Sequence, residues 1–152
     1  MSAPSDEILA FLEARKAATG PLVWKSKGHP DYSESVKIVT CPEMPEFVGQ
    51  IRLTAHKTRD PAKYGFTLLV GSGRMVRVLG LDVNPGTSHY NSRTLTSVSA
   101  THWQVFPDYH ADVDDRVLPH REWFDAFLAR ANIKSTVRYA APAREDVQMS
   151  ML

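Results

Sequence analysis

The chain has 152 residues, 43% hydrophobic and 23% charged, with a formal net charge of +1. This length suits one domain with a core of its own, and no apolar run approaches the roughly 20 residues of a membrane-spanning helix, so helical membrane insertion is excluded. Cys41 is the single cysteine, which excludes an intrachain disulfide, and the N-terminus has no basic region followed by a long apolar one, so the chain reads as cytoplasmic.

Ser5, Asp6 and Glu7 place a capping hydroxyl and two carboxylates at a helix start. Ile8, Phe11, Leu12 and the stem of Arg15 then fall on one face, and Gly20 with Pro21 is expected to end the helix. Its apolar stripe needs a sheet beneath it. A first strand is expected over 22–25, broken by the turn residues 28–31, and a second over 35–41, where Val36 and Ile38 alternate with Ser35 and Lys37 as in a strand with one wet face. From Phe47 the residues Phe47, Gly49, Ile51, Leu53 and Ala55 point one way, and Val48, Gln50, Arg52, Thr54 and His56 the other.

After a polar loop over 57–63, two apolar runs, 64–70 and 75–81, are joined through Gly71, Ser72 and Gly73, a hairpin signal. These glycines are not a phosphate loop, because the Lys-Ser/Thr pair is missing and a strand, not a helix, follows. Asn84, Pro85 and Gly86 turn the chain into a loop carrying His89 and Asn91. A last strand over 97–106 would place His102, Gln104 and Phe106 on one face and Thr101, Trp103 and Val105 on the other. Pro119 opens a second helix with Phe124, Phe127, Leu128 and Ala131 at helical spacing and Asn132 as terminator, and a short extended piece follows over 136–139. The aromatic stripe is read as core. Residues 1–140 form a single α+β domain on this reading, and 141–152 a flexible tail.

The charges are patterned along the chain. Over 48–105, Arg52, Lys57, Arg59, Lys63, Arg74, Arg77 and Arg93 face only Asp60 and Asp82, whereas over 108–125 Asp108, Asp112, Asp114, Asp115, Glu122 and Asp125 face Arg116 and Arg121. A basic section is followed by an acidic one. Arg52, Lys57, Arg59, Arg74, Arg77 and Arg93 with Asp112, Asp114 and Asp115 are therefore the candidate contact residues, for a protein complex first and for nucleic acid second.

The histidines, His29, His56, His89, His102, His110 and His120, show no metal-binding spacing, there is no cysteine pair, and no cofactor is called for. Asp82, His89 and His102 could converge on zinc only if their strands were neighbours. Acid-base chemistry without metal could use His89 and His102 with Arg77, as small ribonucleases do. The plainer assignment has His89 and Asn91 stabilising their loop, His102 on a sheet face and Arg77 paired with an acid. Cys41 precedes a proline with nothing to activate it, and Ser88 and Ser92 lie in no nucleophile elbow.

Arg77 and Asp82, then His89 and Asn91, then His102 and Gln104, closed by a helix ending at Asn132 and Ile133, resemble the pattern Arg-x-Asp, His-x-Asn, His-x-His of a group of small uncharacterised proteins of bacteria and mobile elements. The resemblance spans 75–133. This chain departs from it in having Gln104 in place of the second histidine and a wider spacing from Arg77 to Asp82. The resemblance implies a bacterial or phage setting and points to no established activity.

The expected architecture is α+β: an antiparallel sheet of five or six strands, strongly curved or partly closed, flanked by an N-terminal and a C-terminal helix. The expected function is a non-enzymatic interaction or inhibitor protein, phage or defence related, acting on a nucleic-acid-processing protein complex. The alternatives are a histidine-dependent ribonuclease and a sequence-independent nucleic-acid-binding module.

Overall fold

The computed structural model describes residues 5–56, 63–71, 74–84, 88–91, 96–99 and 101–142, with 29–31, 88–91 and 96–99 described as backbone alone. In chain order the elements are α1 (Ser5–Glu13), β1 (Lys16–Pro21), β2 (Lys25–Lys27), β3 (His29–Val39), β4 (Val48–His56), β5 (Lys63–Gly71), β6 (Val76–Val83), β7 (Ser88–Asn91), β8 (Thr96–Ser99), β9 (His102–Val105), β10 (Asp112–Val113), α2 (His120–Arg130) and β11 (Ile133–Arg138). Seven strands form one antiparallel sheet in the order β10-β9-β6-β5-β4-β3-β2. This is an up-and-down meander, interrupted once by the β7–β8 hairpin between β6 and β9. β1 and β11 pair in parallel as a separate ribbon.

The mixed α+β class and the two helices agree with the sequence reading, but the sheet has seven strands where five or six were expected. The difference lies in the short edges β2 and β10: the strand expected over 22–25 gives way to β2 at Lys25–Lys27, and no expected strand corresponds to β10. Neither has an apolar alternation to announce it, because an edge strand facing water carries charge to discourage further pairing. The strand expected over 97–106 is in fact two, β8 paired with β7 and β9 paired with β6.

One sheet face is filled by both helices. Phe11 of α1 meets Phe47 edge-on at 6.5 Å, and Phe127 of α2 lies 5.7 Å from Phe66 of β5. Ile51, Leu53, Phe66, Leu68, Leu79 and Leu81 on this face are all buried. β4 alternates as its sequence predicts. β3 does not: Ser33 and Ser35 turn inward, while Val36 and Ile38 stand in the open. Register explains the inversion, since Val39 pairs with Gly49 and Ile38 with Gln50, and a period of two then fixes every residue upstream.

The helix expected to run to Gly20 stops at Glu13. An α-helix leaves its last four carbonyls without partners. Here Lys16 Nζ donates to the carbonyls of Phe11 at 2.6 Å, Leu12 at 2.7 Å and Ala14 at 2.6 Å, while Asn132 Nδ2 donates to that of Glu13 at 2.7 Å. Lys16 is only 2% exposed, and burial pushes its pKa down to about 8, which still leaves it charged at neutral pH. The next residues are free to pair with β11, from Lys16 with Ile133 to Pro21 with Arg138. Replacing this ammonium by an apolar chain orphans three carbonyls. Lys16→Met is therefore expected to cost on the order of 3 kcal/mol, read as a lower urea midpoint at unchanged slope.

His120, the first residue of α2, is buried in an aromatic box. Tyr64 lies at 4.5 Å, Phe66 at 5.2 Å and Trp24 at 5.8 Å between ring centres, and Nδ1 is hydrogen-bonded to the Tyr139 hydroxyl at 2.6 Å. Nε2 is buried and has no hydrogen-bond partner among the described residues. Burial pushes the pKa down to about 4, so the folded chain resists a proton that the unfolded chain accepts near pH 6.5. The stability contribution is complete above about pH 6.5 and is lost as the pH falls towards 4, a change on the order of 3 kcal/mol. Thermal melting between pH 7 and 4 should show this slope, and His120→Phe should flatten it.

Candidate functional site

Among the described residues no helix lies over the opposite face of the sheet, and three cross-strand rows order its side chains. Glu34, Thr54, Gly65, Asp82 and His102 form the first row, Val36, Arg52, Thr67, Gly80 and Gln104 the second, and Ile38, Gln50, Leu69 and Arg77 the third. The face grades from polar at the first row to apolar at the β3 end of the other two. Glycines 65 and 80 are diagonal neighbours on β5 and β6, and a trough of about 250 Å³ opens here, lined among others by Tyr32, Thr54, Thr67, Arg77, Asp82 and Gln104.

Arg77 and Asp82 are five residues apart, which in a regular strand would put them on opposite faces. A bulge cancels this. Leu68 pairs with Leu79 and Leu69 with Arg77, leaving Val78 as an extra residue on β6. Val78 and Leu79 both turn into the core, and Arg77 rejoins Gly80 and Asp82 on the open face. The five-residue spacing from Arg77 to Asp82 is thus accommodated by one bulge.

Arg77 does not pair with an acid among the described residues. Its guanidinium stacks 4.7 Å from the centre of the Tyr109 ring, and the Tyr109 hydroxyl donates back to the Arg77 carbonyl at 2.8 Å. Tyr109 is held in turn, with its backbone in the left-handed region (φ 54°) and its carbonyl accepting from Gln104 Nε2 at 2.9 Å. Gln104 therefore works as a brace for the turn that holds Arg77. His102 and Asp82 face each other across β6 and β9, with Nε2 3.9 Å from Oδ2. Arg52 reaches Glu34 at 3.6 Å.

The remaining candidates are scattered. Arg74 is exposed just before β6, and Asp112 and Asp115 are exposed at and beyond the far edge strand β10. Lys57, Arg59 and Arg93 lie outside the described residues, and His89 is described only as backbone in β7, so the zinc set of Asp82, His89 and His102 lies partly outside them too. Among the described residues no three His, Cys, Asp or Glu side chains come together as a metal site.

Asp114 is engaged within the chain. Its carboxylate accepts from Arg116 Nε at 3.0 Å and Nη2 at 2.8 Å, and from Trp103 Nε1 at 3.0 Å. The Arg116 hydrogen bonds hold its carboxyl well below the usual range. Trp103 is covered on its face by Arg130 at 4.7 Å, so it offers no stacking platform. The sequence reading counted Asp114 among the candidate contact residues, and its carboxylate is held by Arg116 and by Trp103 eleven residues earlier. No protein-family model, curated protein or solved structure matches the chain.

Asp114→Asn is expected to lower stability by about 1 kcal/mol, reduced from a fully buried pair because Arg116 is water-exposed. Asp112→Asn and Asp115→Asn, both on exposed positions, should leave the melting temperature unchanged in the same scan.

Proposed function

We propose that this chain is a non-catalytic binding module that engages a protein partner through the face of its seven-stranded sheet that neither described helix covers. The observation that carries this reading is the composition of that face. Exposed Val36, Ile38 and Val48 stand beside the Arg52–Glu34 and His102–Asp82 pairs and Arg77, which pairs with no acid among the described residues. Such a mixture of aliphatic surface and charges of both signs suits a folded or extended protein surface. A nucleic-acid backbone laid across the same face would meet Glu34 and Asp82 in one row, which opposes repeated phosphates. In the bacterial or mobile-element setting that the sequence resemblance implies, the partner is a nucleic-acid-processing complex that the chain inhibits.

A second reading is favoured by the closeness of His102 and Asp82 beside a trough that holds Arg77, the groups a metal-free ribonuclease would use. Against it stands Gln104, whose amide is spent on the Tyr109 carbonyl. The two readings separate in one set of variants. Pure protein is expected to leave RNA intact, and Arg52→Glu and Ile38→Asp to release the co-purifying macromolecule that wild type and His102→Ala retain. RNA cleavage that His102→Ala abolishes in a folded protein would reverse the conclusion.

A further inference from the structure

The exposed cations of the open face differ in what answers them. Arg52 has Glu34 at 3.6 Å, whereas no carboxylate pairs with Arg77 among the described residues. Arg77 is nonetheless held in place. It stacks on Tyr109 and lies over Gly80, whose missing Cβ would sit 3.7 Å from Nη1. A guanidinium fixed in advance loses little further side-chain freedom on meeting an anion, and its planar fork matches a carboxylate.

From Arg77 the third row runs through Leu69 and Gln50 to Ile38, which is 59% exposed. Val36 and Val48, at 41% and 52%, widen the aliphatic surface around it. Three strand spacings separate Arg77 from Ile38, about 14 Å, which is the reach of about four residues of extended chain. One cation that no described carboxylate answers and one aliphatic patch, at a fixed separation on a surface that also carries Glu34 and Asp82, match a single acidic residue among apolar ones. They do not match a repeating polyanion.

We propose that the face binds an extended acidic-aliphatic segment of its protein partner, with an Asp or Glu carboxylate on Arg77 and a branched aliphatic side chain, about four positions away, on Ile38. This rests on the protein-binding reading of the open face. Leu69 and Gln50 form the floor between the two anchors. The segment lies across the strands, and the sheet edges take no part.

The test is selection of short random peptides on the full chain, followed by affinity measurement on synthetic copies of the enriched sequences. Enriched peptides are expected to carry an acidic residue and Leu, Ile or Val about four positions apart. Changing that acidic residue to lysine, or Arg77 to glutamate, should each weaken binding by about tenfold or more. Arg77→Glu should then accept the lysine peptide, which also shows that the variant is folded, and Ile38→Asp should weaken every enriched peptide. Peptides that lack the acidic preference, or that ignore Arg77→Glu while still sensing Ile38→Asp, overturn the carboxylate anchor and leave the binding face standing. Indifference to both variants overturns the face as well. Binding of oligouridine that is lost in Arg77→Glu, with no peptide enriched, overturns the segment in favour of a phosphate ligand.

Discussion

The extra residue in β6 sets the phase of everything built on the open face. With Val78 outside the ladder, the strand sends two consecutive side chains into the core and returns to alternation one residue late. Without that slip, Arg77 and Asp82 would lie on opposite sides of the sheet. The bulge also lays the Arg77 chain across Gly80, and the turn after β9 closes over it through Tyr109. A local irregularity of one residue thus produces a fixed cation in the middle of a sheet, where a regular ladder would have given either a buried arginine or none.

The other face is organised by conventional burial, but its boundaries are set by polar groups. Lys16 and Asn132, which are 116 residues apart by their numbers in the chain, together satisfy the carbonyls at the end of α1. Asn132 can do this because it takes a left-handed conformation (φ 55°) after α2, which asparagine tolerates better than most residues. The ends of the two helices are therefore tied to each other and to the parallel β1–β11 ribbon. His120 closes the opposite end of α2 with a ring that packs like an aromatic and holds one hydroxyl. Charge is used inside this core only where carbonyls surround it.

The two faces divide the work. The helical side gives the sheet its stability through Phe11, Phe66, Phe127 and the aliphatic residues between them. That leaves the open side free to carry side chains that contribute little to folding, among them Ile38, Arg52 and Arg77. Short charged edges, with Lys25 and Lys27 at one end and Asp112 at the other, discourage growth of the sheet by further strands.

Several features followed from the sequence by itself, because they depend on short-range periodicity. The α+β class, the apolar stripe of α1, the alternation of β4, the β5–β6 pairing, the aromatic stripe of α2 and the turn at Asn132 just past its end are of this kind. The candidate residues Arg77, Asp82, His102 and Gln104 were legible by type. Their relations were not, because a bulge, a cross-strand register and a turn all join residues distant in sequence or shift their phase. Tertiary structure alone ended α1 at Glu13, turned Ser33 and Ser35 inward while exposing Val36 and Ile38, and enclosed Asp114. It also gave Arg77 an aromatic neighbour where an acid had been expected. The physical reason is common to all of these. Local propensity decides which conformation a segment can adopt, and only pairing with distant strands decides which of its side chains meet.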